Sequence, residues 1–235
     1  MHISGLLRHT GFFFVFLVLP SVLTYLFGGP SQILTLNQMG ITVILAVSYN
    51  LLIGNAGLLS LGHAAYFAIG GYVNAILLTT HGWPLLPAFV AGVVFATLTA
   101  AVVAYFCTRL TDIYFAMLTL AFSMLVWAIA FKWRSVTNGD DGFVGVTVPA
   151  FIDDRTAFFY FTLVVVVGSI ALLWLITHSA FGRTLVAVRE NMGRASFVGV
   201  HTRRMRWQAF VVAGFFAGVA GALFGMYHRG MYVEN

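Results

Sequence analysis

The side chains of this sequence that could perform chemistry are few, and their spacing fits no common active site. Asp140 and Asp141 stand together in a glycine-rich stretch, where paired carboxylates could bind a cation or act as acid and base. A hard cation needs more oxygen ligands than two, so we interpret this pair as part of a solvated loop. The histidines have no metal-ligand spacing; they are residues 2, 9, 63, 81, 178, 201 and 228. We therefore expect no catalytic residue, no metal and no cofactor.

Two motifs that would identify an enzyme are also missing. No Gly-x-x-x-x-Gly-Lys-Ser/Thr phosphate loop is present, so any ATP hydrolysis is expected in another chain. No Gly-x-Ser-x-Gly nucleophile elbow is present either. The single cysteine, Cys107, excludes an internal disulfide. These observations weigh against a membrane-embedded enzyme.

The composition indicates a membrane protein that crosses the bilayer several times. Apolar residues make up 60% of the 235 residues and charged residues 8%, against roughly 25% charged in a soluble domain. The net charge of +5 is concentrated in one segment, so it reports membrane topology rather than nucleic-acid binding. The sequence predicts an all-α polytopic bundle in contact with lipid.

Seven hydrophobic segments are long enough to be considered as membrane spans. They are residues 11–27, 33–53, 64–78, 85–106, 113–131, 158–176 and 207–226. We interpret the first as an uncleaved span, because no small-x-small cleavage site follows it. The spans hold almost no ionisable residues, which argues against a proton relay. Glycines of the last span predict a close-packing face; they are Gly214, Gly218, Gly221 and Gly225.

A polar, glycine-rich interruption separates the second and third segments. It contains hydrogen-bonding groups without any charge, and its candidate residues are Gly54, Asn55, Gly57, Ser60, Gly62 and His63. Transporters place broken helices of this kind where a substrate binds near the midplane. We predict that residues 54–63 line a translocation path, although a small water-exposed turn or a re-entrant loop fits the same pattern.

A basic segment, residues 178–206, lies between the last two spans and carries six of the twelve basic residues. As one helix it would place Arg183, Glu190 and Arg194 on one face, with Gly199 as its terminator. The opposite face would be an apolar stripe; it consists of Phe181, Leu185, Val188, Met192 and Ala195. The segment is a cytoplasmic loop by the positive-inside rule, a helix on the lipid surface, or a docking element for a partner protein. Placed in the cytoplasm, it gives eight basic residues inside and four outside, with the N-terminus cytoplasmic.

Three stretches of the chain match one known family. The matching residues are Ser179, Phe181–Arg183, Arg189–Asn191, Ala195, Gly199 and Arg203–Arg204 in the basic segment, Gly54, Gly57, Ser60–His63 and Gly71–Tyr72 around the interruption, and 108–122. Together they resemble the permease subunits of bacterial ABC importers for branched-chain amino acids. Ala180 stands where that family has a proline, and Thr108 where it has a leucine. The family continues with further hydrophobic spans, so this chain looks C-terminally shortened.

The resemblance implies one transmembrane permease domain, residues 1–235, whose cytoplasmic coupling loop, 178–206, docks on a separate ATPase. The implied coupling residues are Phe181, Gly182, Arg183, Arg189, Glu190, Asn191, Ala195 and Gly199. The implied partners are a second permease subunit, cytoplasmic ATP-binding subunits and a periplasmic substrate-binding protein, at the inner membrane. The family also carries a Gly-Asp-Asp-Gly turn, which suggests a structured external loop.

Two functional hypotheses follow. The first is a permease subunit of an ABC importer that moves branched-chain or related amino acids. The alternative is a stand-alone secondary carrier or channel for a small neutral solute. The residues do not distinguish an amino acid from an amide, urea or an aromatic acid as the solute.

Overall fold

The computed structural model describes residues 30–110, 112–139, 142–146 and 154–231. Within them the chain is almost entirely helical, with one π-helical turn and two very short strands. The elements are α1 (Pro30–Asn50), the π-helix (Leu51–Ala56), α2 (His63–Thr79), α3 (Leu85–Cys107), α4 (Asp112–Lys132), α5 (Arg134–Thr137), β1 (Phe143–Val144), α6 (Arg155–His178), α7 (Ala180–Glu190), α8 (Met192–Phe197), α9 (Thr202–Tyr227) and β2 (Gly230–Met231).

Every predicted span that falls within the described residues is a helix, which confirms the all-α polytopic class. The segment predicted at 11–27 lies outside the described residues. Five helices are long and apolar enough to cross a membrane; they are Ile33–Ala56, Leu85–Cys107, Ile113–Lys132, Thr156–His178 and Thr202–Tyr227. α2 is shorter, at 17 residues, yet it is packed between α3 and α9 in the core.

The helix α9 is the centre of the bundle and packs against α1, α2 and α3. Its glycines permit this approach, because a Cβ at Gly218 would lie 2.6 Å from the Cβ of Ala96 on α3. A Cβ at Gly221 would overlap the carbonyl oxygen of Phe67 on α2. The predicted close packing is confirmed, but the glycines serve two neighbouring helices rather than one.

Contacts along α9 show which ends of the helices lie together. Tyr227, at its C-terminal end, donates a hydrogen bond to the carbonyl of Leu34 at the start of α1, at 2.9 Å. Phe210, near its N-terminal end, stacks edge-on against Tyr66 at the start of α2. The helices α1 and α2 therefore run in opposite directions, and residues 57–62 are a turn between antiparallel helices rather than a re-entrant loop.

One end of the bundle collects most of the positive charge, and we call it the basic face. It comprises residues 51–62, the C-terminal end of α3, all of α7 and α8, and the N-terminal start of α9. Arg189 of α7 donates to the carbonyl of Gly54, and Arg206 of α9 donates to the carbonyl of Leu110 just after α3. The turn at residues 80–84, α5, β1 and β2 lie at the other end, which we call the opposite face.

A small β-ladder on the opposite face was absent from the sequence prediction. Phe143 pairs with Met231 in antiparallel register, and the N–H groups of Gly145 and Val146 donate to the carbonyl of Arg229. This ladder ties the long loop after α4 to the end of α9. The neighbouring Asp140 and Asp141 lie outside the described residues.

Candidate functional site

The predicted interruption begins inside a helix rather than after one. The last turn of the helix widens into the π-helix, which ends at Gly57 with a φ of +67°. That left-handed conformation favours glycine, and the Gly57 N–H closes the turn on the carbonyl of Leu52. Single π-helical turns occur often at functional sites, because they shift the register of the side chains that follow.

The chain after Gly57 is extended, and buried residues alternate with exposed ones along it. Ser60 and Gly62 are buried, whereas Leu59 and Leu61 are exposed. Gly62 touches α4 so closely that a Cβ there would overlap the carbonyl oxygen of Thr119. The Leu61 N–H donates to the Thr119 hydroxyl at 3.1 Å. The segment is therefore held by its backbone against α4, and it has one buried edge.

That buried edge carries polar atoms that the described residues do not satisfy. His63 Nε2 lies 2.9 Å from the Ser48 hydroxyl, which donates its own hydrogen to the carbonyl of Leu45. The Ser48 oxygen must then accept from the Nε2–H, which leaves His63 Nδ1 as an acceptor. Neither Nδ1 nor the hydroxyl of Ser60 has a hydrogen-bond partner among the described residues. Buried polar groups are normally hydrogen-bonded, so these two atoms are available to a ligand, to water or to residues outside the described part of the chain.

The basic segment folds differently from its prediction, because two helices replace one. Asn191 leaves the helical conformation, with φ −158° and ψ 101°, and its side chain caps α8 by accepting from the Arg194 N–H at 2.9 Å. Asparagine competes with helix continuation through such caps. The prediction placed Glu190 and Arg194 on one helix, whereas in the structure they lie on two different helices. Gly199, with a φ of +88°, follows the end of α8, as predicted.

The apolar stripe faces the chain's own bundle. Leu185 is 0% exposed and Val188 1% exposed, and α7 packs against the π-helix, α6 and α9. Leu185 and Val188 are therefore not accessible to a partner, whereas docking of the basic segment on an ATPase stays a prediction. Its apolar side chains cover the underside of the membrane helices. Met192 falls outside this cover and is exposed, because the chain turns at Asn191.

The exposed apolar side chains of the basic segment are elsewhere, at the end of α8. Phe197 is 92% exposed and Val198 is 84% exposed. Neither residue belongs to the predicted stripe, so neither was predicted as a site residue. The signal was an apolar pair immediately before the terminating glycine, in a segment that is otherwise basic.

Arg189 joins the two predicted sites. Its guanidinium donates to the carbonyl of Gly54 in the π-helix, and its side chain crosses over Gly57. A Cβ at Gly57 would lie 2.8 Å from the Cγ of Arg189, so glycine is needed there for space as well as for conformation. Asn55 is part of the same π-helix. Arg183 and Glu190 are exposed, as Arg189 is, and neither has a side-chain hydrogen bond to the π-helix among the described residues.

Two further residues fix the basic segment on the bundle. Gly182, where α7 begins, lies so near α6 that a Cβ would overlap the carbonyl oxygen of Thr177. Arg206 is 6% exposed, and its guanidinium lies over the Phe115 ring and donates to Leu110. Arg206 is one of the six basic residues of the segment, and its burial was not predicted. Ala209, Phe210 and Ala213, at helical spacing after it, were the signal.

No group of three or more His, Cys, Asp or Glu side chains that could hold a metal ion occurs in the part of the chain that the structure describes. What the site offers is uncharged hydrogen-bonding capacity at Ser60 and His63, and a mechanical link at Arg189.

One family model and several curated permease proteins match this chain. The model of the family "Branched-chain amino acid transport system / permease component" matches residues 32–235. The high-affinity branched-chain amino acid transport system permease protein LivM of Escherichia coli (strain K12) is 28% identical over 226 residues, covering 83% of this chain and 52% of the relative. LivM of Salmonella typhimurium is 28% identical over 214 residues, covering 78% and 50%. LivH of Escherichia coli (strain K12) is 25% identical over 210 residues, covering 79% and 66%.

The chain thus spans about half the length of the LivM relatives that it matches. No solved structure matches it to a significant degree.

Proposed function

This chain belongs to the family of branched-chain amino acid transport system permease components, and we propose that it is a transmembrane subunit of an ATP-binding-cassette importer. It moves branched-chain or related amino acids across the bacterial inner membrane, and a separate ATPase subunit drives the movement. The proposal extends to the whole transporter what the relatives' names say of those proteins.

The observation that carries the proposal is the contact between Arg189 and Gly54. It joins α7, on the basic face, to the π-helical turn that leads into the polar segment. Through the Arg189 side chain, a movement of α7 would reach this turn directly. Alternating access needs a physical link between the ATPase and the substrate path, and this contact supports one.

The buried edge of residues 54–63 supports a path for a neutral or zwitterionic solute. Ser60 and His63 present a hydroxyl group and a ring nitrogen that lack partners within the described residues. Hydrogen-bonding groups without charge select a solute by its own donors and acceptors and do not hold an ion. We assign the translocation path to Gly54, Asn55, Gly57, Ser60, Gly62 and His63.

The surfaces of the bundle fit the expected partners. Phe197 and Val198 project from the basic face, where the ATP-binding subunits would dock. The helices α3 and α4 expose large apolar side chains such as Phe95, Met117 and Leu125, which suit lipid and a second permease subunit. The periplasmic substrate-binding protein would meet the opposite face.

Arg189→Gln is expected to lower substrate uptake by about tenfold while ATP hydrolysis by the assembled importer continues. Glutamine loses the charged hydrogen bond to Gly54, and such bonds contribute about 1.5 kcal/mol at the lower end of their range. Uptake of a radiolabelled amino acid and phosphate release are measured in the same proteoliposomes. Arg183→Gln is the matched control, because Arg183 is an equally exposed arginine of the same helix and, unlike Arg189, has no hydrogen bond to Gly54. Equal losses of uptake in both variants would contradict the transmission role.

The basic face is expected to be cytoplasmic. It carries seven of the described chain's arginines, against Lys132, Arg134, Arg155 and Arg229 towards the opposite face, the asymmetry of the positive-inside rule. In a Cys107→Ser background, Ser196→Cys should react with an impermeant maleimide only after the membrane is opened. His81→Cys, in the turn before α3, should react in intact cells. The reverse pattern would invert the orientation and, with it, the cytoplasmic N-terminus.

A further inference from the structure

A cationic pocket opens on the basic face between the end of α3 and the start of α9. Its volume is 570 Å³. The lining residues that matter here are Tyr105, Arg109, His201, Arg203, Arg204 and Trp207. Three of them are arginines, and none of the described residues that line the pocket is acidic.

Two of the three arginines lie against one aromatic ring. The guanidinium of Arg109 lies 4.6 Å from the Tyr105 ring centroid, and that of Arg203 lies 5.6 Å from the same centroid. Cation–π contacts of this kind hold two like charges near each other at some electrostatic cost. An anion between them would remove that cost. Guanidinium groups are well suited to phosphate, because they donate in a planar fork.

The first turn of α9 adds donors to the same pocket. His201 is the N-cap residue of this helix and makes no side-chain cap hydrogen bond. The free N–H groups of Thr202 and Arg203 and the positive end of the helix dipole therefore adjoin the pocket. The start of this 26-residue helix therefore adds its positive dipole end to the charge of the three arginines, a combination that favours an anion.

The source of the anion follows from the surface beside the pocket. Leu98 and Val102 lie seven and three residues before Tyr105 on α3, and all three side chains are exposed. They form an apolar strip that runs from the bilayer to the arginines. Trp207 donates to the carbonyl of Ala101 at 3.0 Å and closes the strip against α9. A soluble phosphate would make no use of this strip, whereas an acyl chain would lie along it.

We propose that this pocket binds the phosphate of an anionic phospholipid, with an acyl chain along Leu98 and Val102. Basic pockets between membrane helices at the cytoplasmic surface are suited to such headgroups. The site is distinct from the substrate path, and it would hold α3 and α9 together where the basic segment meets the membrane.

The test is lipid retention by the full chain, purified in a neutral detergent with mixed micelles of phosphatidylglycerol or phosphatidylcholine. Native mass spectrometry counts the lipids that stay bound. The wild type should retain one phosphatidylglycerol in preference to phosphatidylcholine. Arg109→Gln and Arg203→Gln should each weaken retention by about fivefold, which corresponds to ~1 kcal/mol per basic residue at an anionic surface.

Arg194→Gln is the matched control, because Arg194 is exposed on the basic face and does not line the pocket. An equal loss in Arg194→Gln would show a general charge effect and overturn the proposal. Displacement of the lipid by millimolar inorganic phosphate or glycerol 3-phosphate would identify a site for a free anion and overturn it too. Leu98→Ser, which keeps every arginine, should reduce retention of phosphatidylglycerol, and unchanged retention would refute the acyl-chain part.

Discussion

Gly221→Ala should lower the melting temperature of this protein in detergent by roughly 6–12 °C. A Cβ at this position would overlap the carbonyl oxygen of Phe67 on α2. The obstacle is backbone, so no rotamer change relieves it and the two helices must move apart. Overpacking costs about 1–3 kcal/mol and occasionally more, and we expect the upper end. The temperature range follows from about 2–4 °C per kcal/mol for a chain of this length.

Gly168→Ala on α6 is the matched control. A Cβ at Gly168 meets no atom within 4 Å, so the substitution changes helix propensity alone. Alanine is favoured over glycine in a helix by up to about 1 kcal/mol, which should leave the melting temperature unchanged or slightly raised. Thermal unfolding is followed by a thiol-reactive dye at Cys107, which is buried in the folded state. Equal melting temperatures for the two variants would refute the close approach of α2 and α9.

The same glycines show what a sequence makes predictable in a membrane protein. Hydrophobic length located each described span, and the recurrence of glycine on the last one indicated close packing. The sequence could not show that Gly221 approaches α2 while Gly218 approaches α3. Which neighbour a glycine meets depends on tertiary contacts between residues far apart in the chain.

The basic segment shows where periodicity misleads. The stripe that includes Leu185 and Val188 is apolar at helical spacing, and that pattern predicts a buried face without naming what buries it. The structure shows that the chain's own membrane helices do so. Asn191 was interpreted as an interior helix residue, although its side chain is a common N-cap. The contact of Arg189 with Gly54 joins residues 135 positions apart, which local pattern cannot reveal.

The sequence indicated which residues of the interruption are polar, but it did not indicate which side chains they contact. Glycines and uncharged polar groups indicated an interruption at 54–63, and the structure makes it a π-helix followed by a turn between two antiparallel helices rather than a break within one helix. The pairing of His63 with Ser48 was not predicted, because Ser48 belongs to the preceding helix. The two side chains meet because α1 and α2 run antiparallel, and the sequence does not show that arrangement.

Phe197→Asp should weaken association with the ATP-binding subunits by about 30-fold or more. Phe197 is 92% exposed, and under the proposed function the ATP-binding subunit buries it, where interface aromatics contribute about 2 kcal/mol or more. A factor of 30 corresponds to ~2 kcal/mol. Aspartate removes the apolar contact and adds a carboxylate that would be desolvated in the interface. The measurement is co-purification of the ATPase with the importer, with ATP hydrolysis stimulated by substrate.

Leu185→Asp and Phe197→Asp are expected to differ in folding. Leu185 is fully buried in the chain's own core, so Leu185→Asp should prevent stable folding and abolish a monodisperse peak in size-exclusion chromatography. Phe197→Asp should elute as the wild type does. Val136→Asp, an exposed apolar position on the opposite face, is the matched control and should keep both folding and association. A Leu185→Asp protein that folds normally and loses only the ATPase would restore the apolar stripe as the docking surface. Wild-type association of Phe197→Asp would remove the end of α8 from the coupling interface.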